Sequence, residues 1–292
     1  MRLYFANSVS VLPIGAFFSG KRGGRLIYAP HELESQRNSV GLVGRYISRL
    51  IENIFIRRAH KVVVVGEKIG DWYINEYTLK QRPVVLRNIP NRNYFKLRLK
   101  SEGEDYLRDK FQIPQDKIIC LYQGIFTKGR GLENIIQVAT DNAIQERFVF
   151  IFLGFGPYEN YIRKAVKVHN NIYFHEAVDF NRLQLLTASA DLGLCLIENT
   201  CLSYYYSLPN KLFEYIRSGL PVLGSDFPEI EKFILNGGFG WITNPTAEGI
   251  RSILYELDND VIRSKKNSME VSELNLCWED DFARMWYMLS PN

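Results

Sequence analysis

Short apolar runs and longer amphipathic stretches alternate along most of this chain. Leu26 to Ala29 in "GRLIYAPHELES" reads as a strand that ends in a polar loop. The following "LVGRYISRLIENIFIRRAHK" spaces Val43, Tyr46, Ile47, Leu50, Ile51, Ile54 and Phe55 as one broad helical face. Arg45, Arg49 and Glu52 fall opposite that face, and Arg57 and Arg58 flank it. The apolar face suits either a core or a membrane surface, and both uses stay open. Glu52 is expected to pair with a nearby arginine. "KVVVVGEK" is apolar throughout, as strands of parallel sheets are, and "PVVLRNIPN" is a further short strand. Together these segments make β-α-β-α-β, half of a doubly wound domain.

Residues 91–104 are polar and charged without an apolar period, and they read as a linker. A second series then runs through "KIICLYQG", "GLENIIQVAT", "RFVFIFLGFG", "YENYIRKAVKVH", "NIYFHEAV", "NRLQLLTASA" and "DLGLCLIE". It continues with "SLPNKLFEYIRSGLPVLGSDFPE", "PEIEKFILNGG", "FGWIT" and "TAEGIRSILYEL". Regular strand–helix alternation predicts a parallel sheet covered by helices on both faces. The tail "LCWEDDFARMWYML" places Trp278, Phe282, Met285 and Trp286 on one face of a last helix. The expected domains are residues 1–97, residues 105–272, and a closing helix in 273–292 that returns to the first domain.

Within the second series, "SLPNKLFEYIRSGLPVLG" predicts helix, tight turn and strand. Ser207 can cap the helix start, Pro209 fits its first turn, and Gly219 marks its end. Composition describes a globular chain able to bury real cores, with 46% hydrophobic and 23% charged residues over 292 positions. The four cysteines have neither metal nor disulfide spacing, and Cys120 and Cys195 lie in strand-like runs as reduced core thiols. No apolar run approaches the roughly 20 residues of a membrane span. The opening "MRLYFANSVSVLPIGAFFSGKRGG" has an early arginine and a short apolar run. That run contains Pro13 and no A-x-A-like site follows, so a secretory leader is not expected. Charge is uneven. Residues 1–61 hold ten Lys/Arg and three Glu, a net of +7, while the whole chain is +4, so the remainder sums to −3. A basic first part suits an anionic neighbour. Nucleic acid is not expected, because no recognised module is present and the net charge is modest.

Candidate chemistry gathers at strand ends of the second domain, where open α/β sheets bind ligands. "QGIFTKGRGLEN" brings Gly124, Gly129 and Gly131 together with Lys128 and Arg130 at a helix start. That combination suits a phosphate or pyrophosphate. "GFGP", with Gly154 and Gly156, follows the next strand. "SLPNK", with Asn210 and Lys211, follows a later one. Each loop alone is as readily a tight βα turn. Three at one edge favour a nucleotide-type site. The chain is read as having no metal-binding D-x-D motif.

The motifs "LYQGIFTKGRGLENII", "FIFLGFGP", "NIYFHEAV", "ADLGLCLIENT" and "SLPNKLFEYIRSGLPVLGSDFPE" resemble, in order and spacing, the donor-binding domain of the family 4 (group 1) glycosyltransferases. "FANSVSVLPIGAFF", "RLIYAPHELES", "IENIFIRRAHKVVVVGE" and "VVLRNIPN" look like the second half of that family's acceptor domain, and "WEDDFARMWYML" resembles its C-terminal helix. The resemblance implies a GT-B-like α/β fold of two Rossmann-like parallel-sheet domains. The N-terminal one would be incomplete by roughly 80 residues, judged from the sheet a full domain needs. Such a half sheet would expose an edge and an apolar face, so poor stability or a partner chain is expected.

The same resemblance implies a retaining, metal-independent transferase without a cofactor, using a UDP- or GDP-sugar as donor. Its acceptor would be a glycan or a polyprenyl-linked glycan in surface polysaccharide synthesis. The expected location is the cytoplasm, with peripheral membrane contact through 42–61. By position, Arg130 would bind the donor diphosphate and Glu214 the ribose hydroxyls. Asn210 and Lys211 would present backbone N–H groups, and His31, the candidate catalytic residue, would stand beside the donor sugar at the acceptor side of the cleft. The family often shows a second Glu eight residues before the first, where this chain has Tyr206, and Tyr204 to Tyr206 serve either as sugar contacts or as an aromatic core wall. Two alternatives remain. One is a truncated, inactive protein that binds nucleotide or a partner. The other is a sugar-nucleotide epimerase, which needs more acid–base residues than these loops supply.

Overall fold

The computed structural model describes residues 2–92, 105–269 and 276–289. The residues of the expected linker from 93 to 104 lie outside the described set. The chain forms two compact units. The first comprises Met1–Asn88, Asn199–Leu208 and Cys277–Asn292. The second comprises Ile89–Glu198 and Pro209–Leu276. Asn199–Leu208 lies inside the range expected for the donor domain but packs with the first unit.

The first unit is built on a parallel sheet of β1 (Leu3–Ala6), β2 (Arg25–Tyr28), β3 (Lys61–Val64) and β4 (Val84–Val85), paired in that order. Helices α1 (Leu12–Arg22), α2 (Leu42–Phe55) and α3 (Glu67–Tyr77) make the crossovers. The stretch with leader-like features thus folds as β1 and α1, and Pro13 sits in the first turn of α1, where no N–H partner is lost. One face of the sheet buries Leu26, Tyr28, Val62 and Val64 against Leu12, Ile69 and Tyr73.

Of the two orientations left open for helix α2, the structure takes the outward one. Its apolar stripe faces solvent, with Leu42 83% exposed and Ile54 50% exposed, while Glu52 is fully buried. The Glu52 carboxylate accepts hydrogen bonds from the hydroxyls of Tyr28 (2.6 Å), Tyr73 (2.8 Å) and Tyr77 (2.7 Å). No arginine pairs with it among the described residues. Three hydroxyl donors offset the desolvation of this one carboxylate, so the polar side of the helix can face inward.

On the other face of the sheet, α14 (Trp278–Leu289) buries Met285 and Leu289 against Ile27, Val63 and Val84. Its buried Asp281 takes a two-pronged bond from Arg87, Nε and Nη2 each at 2.7 Å. Trp286, expected on the buried face, is about half exposed. The short helix α9 (Leu202–Tyr205) also belongs here, and Leu202 and Tyr206 pack on the first unit's core. Tyr206 is therefore part of an aromatic wall.

The second unit has six parallel strands: β5 (Ile118–Ile125), β6 (Phe148–Phe155), β7 (Ile172–Glu176), β8 (Leu192–Cys195), β9 (Val222–Ser225) and β10 (Gly240–Thr243). Their order across the sheet is β10-β9-β8-β5-β6-β7. The order reverses between β5 and β8, which opens a crevice at their carboxyl ends. Helices α5 (Leu132–Ala139), α7 (Glu159–Val168), α8 (Phe180–Ala188), α10 (Asn210–Arg217), α11 (Pro228–Asn236), α12 (Ala247–Glu256) and α13 (Asn259–Ser268) cover the sheet. Two short helices, α4 (Tyr106–Phe111) and α6 (Asn142–Gln145), complete it. Phe148, Phe150 and Phe152 alternate into one core with Tyr122, Phe126 and Leu132.

Candidate functional site

Helix α10 reaches the crevice because its other side is pinned. The buried Tyr215 hydroxyl donates to the Leu121 carbonyl (3.0 Å) and accepts from the Gln123 amide (2.9 Å). A Cβ on Gly193 would lie 2.7 Å from the Tyr215 ring, so glycine in β8 makes room for it. The helix stops at Gly219, which takes φ +69°, with Gly219 N–H bonded to Ile216 and Leu220 N–H to Tyr215. The start differs from expectation. Pro209 occupies the cap position, and the Ser207 hydroxyl donates to the Tyr204 carbonyl instead of capping. The first-turn amides of Asn210 and Lys211 therefore lack intrahelical acceptors.

From this helix Lys211 extends to the end of β5. Its Nζ sits 3.6 Å from the centroid of the Tyr122 ring, and a Cβ on Gly124 would meet it at 3.7 Å. The Lys211 ammonium is lowered to about 7, chiefly by burial and in smaller part by the Arg130 charge, against opposing effects from Cys195 and Glu214. An anion placed here gains a cation and leaves that cation better solvated.

One turn along, Glu214 accepts a 2.6 Å hydrogen bond from the amide of the buried Gln123. The Gln123 carbonyl in turn accepts from the Thr187 hydroxyl at 2.8 Å. Burial raises the Glu214 carboxyl, and the Gln123 bond and the Lys211 charge oppose that rise. The second carboxylate oxygen has no hydrogen-bond partner among the described residues, which leaves an acceptor for a hydroxyl pair. Gln123 and Thr187 were not singled out from the sequence. The available signal was a glutamine inside the apolar run "KIICLYQG".

The Gly/Lys loop closes the crevice. Gly129 (φ +78°) and Gly131 (φ +76°) adopt left-handed backbone, and a Cβ on Gly131 would fall 2.3 Å from the Leu196 carbonyl. Arg130 is half-buried and Lys128 exposed. Gly154 and Gly156 answer a packing need: a Cβ on either would strike the carbonyl of Gly124 or Phe126. Arg130, Lys211, Glu214 and Gly124 are brought together, with Asn210 exposed at the head of α10. Lys128 points outward. His31 stands exposed after β2 in the first unit.

At the carboxyl end of β7 a cavity is lined by Tyr106, Lys110, Phe174, His175 and Arg182. His175 Nδ1 lies 2.7 Å from the Glu176 carbonyl and Nε2 3.0 Å from Lys110 Nζ. Burial lowers its pKa, and a carbonyl at one nitrogen and an ammonium at the other fit the tautomer that donates at Nδ1 and accepts at Nε2. Contrary to the expectation that no D-x-D is present, the sequence contains one at Asp258 to Asp260. Asp258 caps α13 through the Val261 amide and Asp260 pairs with Arg263, so both serve the helix. Among the described residues no cluster of His, Cys, Asp or Glu could hold a metal ion.

The profile of "Glycosyl transferases group 1" matches residues 104–267. The chain belongs to the group 1 glycosyl transferases. Among similar curated proteins, the chitobiosyldiphosphodolichol beta-mannosyltransferase of Debaryomyces hansenii is 23% identical over 262 residues, 81% of this chain and 55% of that protein. Its counterpart in Candida glabrata is 22% identical over 305 residues, 94% of this chain and 66% of that protein. The chain thus spans about half to two-thirds of the length of these relatives. Among solved structures, Anabaena HepE in complex with UDP superposes with a TM-score of 0.78 at 15% identity, covering 98% of this chain and 78% of that one. WaaG, a glycosyltransferase involved in lipopolysaccharide biosynthesis, gives 0.56 at 13% identity, covering 100% and 99%. Both likenesses speak to fold, and the group 1 chain has the GT-B architecture of two parallel-sheet units.

Proposed function

We propose that this group 1 chain transfers a sugar from a nucleotide diphosphate sugar to a glycan or lipid-linked acceptor, without a metal ion and with retention, in surface polysaccharide synthesis. The observation that carries the reading is the meeting of Lys211, Arg130 and Glu214 at Gly124, in the crevice where the strand order reverses. Charge must develop on the diphosphate as the sugar–oxygen bond breaks. Lys211, Arg130 and the free amides of α10 supply a preorganised positive field for it. Glu214, oriented by Gln123, accepts from the ribose hydroxyls, and the His175 cavity takes the base.

The relatives' name includes a dolichol diphosphate-linked acceptor, which supports a lipid-linked one here. The solvent-facing stripe of α2 and the basic residues through 61 suit contact with the cytoplasmic face of a membrane. No helix among the described residues is long and apolar enough to cross a membrane. A second reading concerns stereochemistry. The relatives' name specifies a β-mannoside, which from an α-linked donor requires inversion.

The test incubates the chain with UDP- or GDP-sugars and a polyprenyl diphosphate-linked acceptor, with EDTA present, and reads product by mass spectrometry and its anomer by NMR. Transfer with EDTA supports the proposal. Nucleotide binding without transfer would favour the inactive binding protein, and a product of inverted anomer would replace retention.

A further inference from the structure

A second cavity, of about 570 Å³, lies in the first unit at the amino ends of β3 and β4. This is the edge of that sheet opposite the one carrying His31. Arg57, His60 and Lys61 line it from the end of α2 into β3, and Lys80 and Arg82 from the turn between α3 and β4. No carboxylate lines it. Its floor is apolar, formed by Ile56 and Val62, both buried. Arg82 is engaged by Asp71 at 2.7 Å and Lys61 by Gln81 at 2.7 Å, whereas Arg57 and Lys80 have no anionic partner among the described residues.

We propose that this cavity binds a phosphate group, either on a soluble ligand or as the headgroup of an anionic lipid. A ring of cations over an apolar floor accepts a phosphate while seating the carbon chain attached to it. The exposed stripe of α2 ends at Ile54, two residues before Ile56 on the cavity floor, and that proximity favours the lipid source. The His60 imidazole has its pKa lowered by burial and by the charges of Arg25 and Lys61. The proposal stands apart from the donor site, and none of its residues belongs to that site.

The test uses the full chain labelled with 15N-histidine. Inorganic phosphate should move the His60 resonances saturably and raise its titration midpoint. The shift should persist in Lys211→Ala and vanish in Arg57→Gln/Lys80→Gln, whose exposed side chains can be exchanged without disturbing the core. In parallel, flotation compares vesicles of phosphatidylcholine alone with vesicles that also contain phosphatidylglycerol. Capture by the anionic vesicles that weakens roughly tenfold or more in the double variant identifies a lipid headgroup. A phosphate-induced His60 shift without vesicle capture identifies a soluble phosphate ligand. His60 unmoved by either probe overturns the site. So does vesicle capture indifferent to Arg57→Gln/Lys80→Gln but lost in Leu50→Ser/Ile54→Ser, which would assign all binding to the α2 stripe.

Discussion

Helices α2 and α10 have the same ingredients: an apolar stripe, basic residues and one inward glutamate. They use them in opposite senses. Helix α10 buries Leu212, Phe213, Tyr215 and Ile216, and holds Glu214 at the lip of a crevice with one oxygen bonded and one open. Helix α2 buries only Glu52 and turns its stripe outward. Both oxygens of its carboxylate are bonded, by three tyrosine hydroxyls in all. A carboxylate with both oxygens bonded holds a fold together, and one with a single oxygen bonded beside a desolvated lysine is poised for a ligand.

The comparison breaks first at Glu52. Glu52→Ala would leave three buried hydroxyls without their acceptor, and urea denaturation should show a loss of at least about 3 kcal/mol. A loss below about 1 kcal/mol would show that the hydroxyls find other partners. Equal truncations then separate the two stripes. Leu212→Ala should cost about 2–5 kcal/mol, and Leu50→Ala should stay within about 0.5 kcal/mol. Similar costs would mean that the α2 stripe is covered in solution.

The pH dependence sharpens the functional side. The Lys211 ammonium is lowered to about 7, and a bound diphosphate favours its charged form. Affinity for nucleoside diphosphate should therefore be greatest below about pH 7 and fall as pH climbs above it, until the raised pKa of the complex is passed. At pH 8, calorimetry in two buffers of different ionisation enthalpy should detect net proton uptake, and Lys211→Ala should abolish it. Among the effects on nucleotide binding, the smallest is expected of Gln123→Ala. Losing one hydrogen bond to Glu214 should weaken nucleotide binding by about 1 kcal/mol, with stability little changed if Thr187 turns wholly to the Leu183 carbonyl that it already reaches at 2.7 Å.

Strand–helix alternation was legible because fully apolar runs such as "RFVFIFLGFG" admit few other uses in a chain of this composition. The loops that converge at Gly124 were legible because left-handed glycines and cations at helix starts have few roles. The face of α2 was not. Periodicity reports where a stripe lies on a helix but not which side turns inward, and here Tyr28, Tyr73 and Tyr77 from two other elements decide it. Gln123 and Thr187 were hidden for the same reason: they are 64 residues apart and meet only in the folded unit. The placement of Asn199–Leu208 with the first unit follows from contacts such as Ser203 to Glu32 (3.1 Å), which no local pattern encodes.

The central claim is that the crevice at Gly124 binds a nucleoside diphosphate through Lys211 and Glu214. Calorimetric titration of the chain with UDP and with GDP, beside Glu214→Ala and Lys211→Ala, tests it most directly. One nucleotide should bind, weakened by about 1–3 kcal/mol in Glu214→Ala and by about 1.5–3 kcal/mol in Lys211→Ala. A folded chain that binds neither nucleotide, or binds one with both variants unchanged, would contradict the claim.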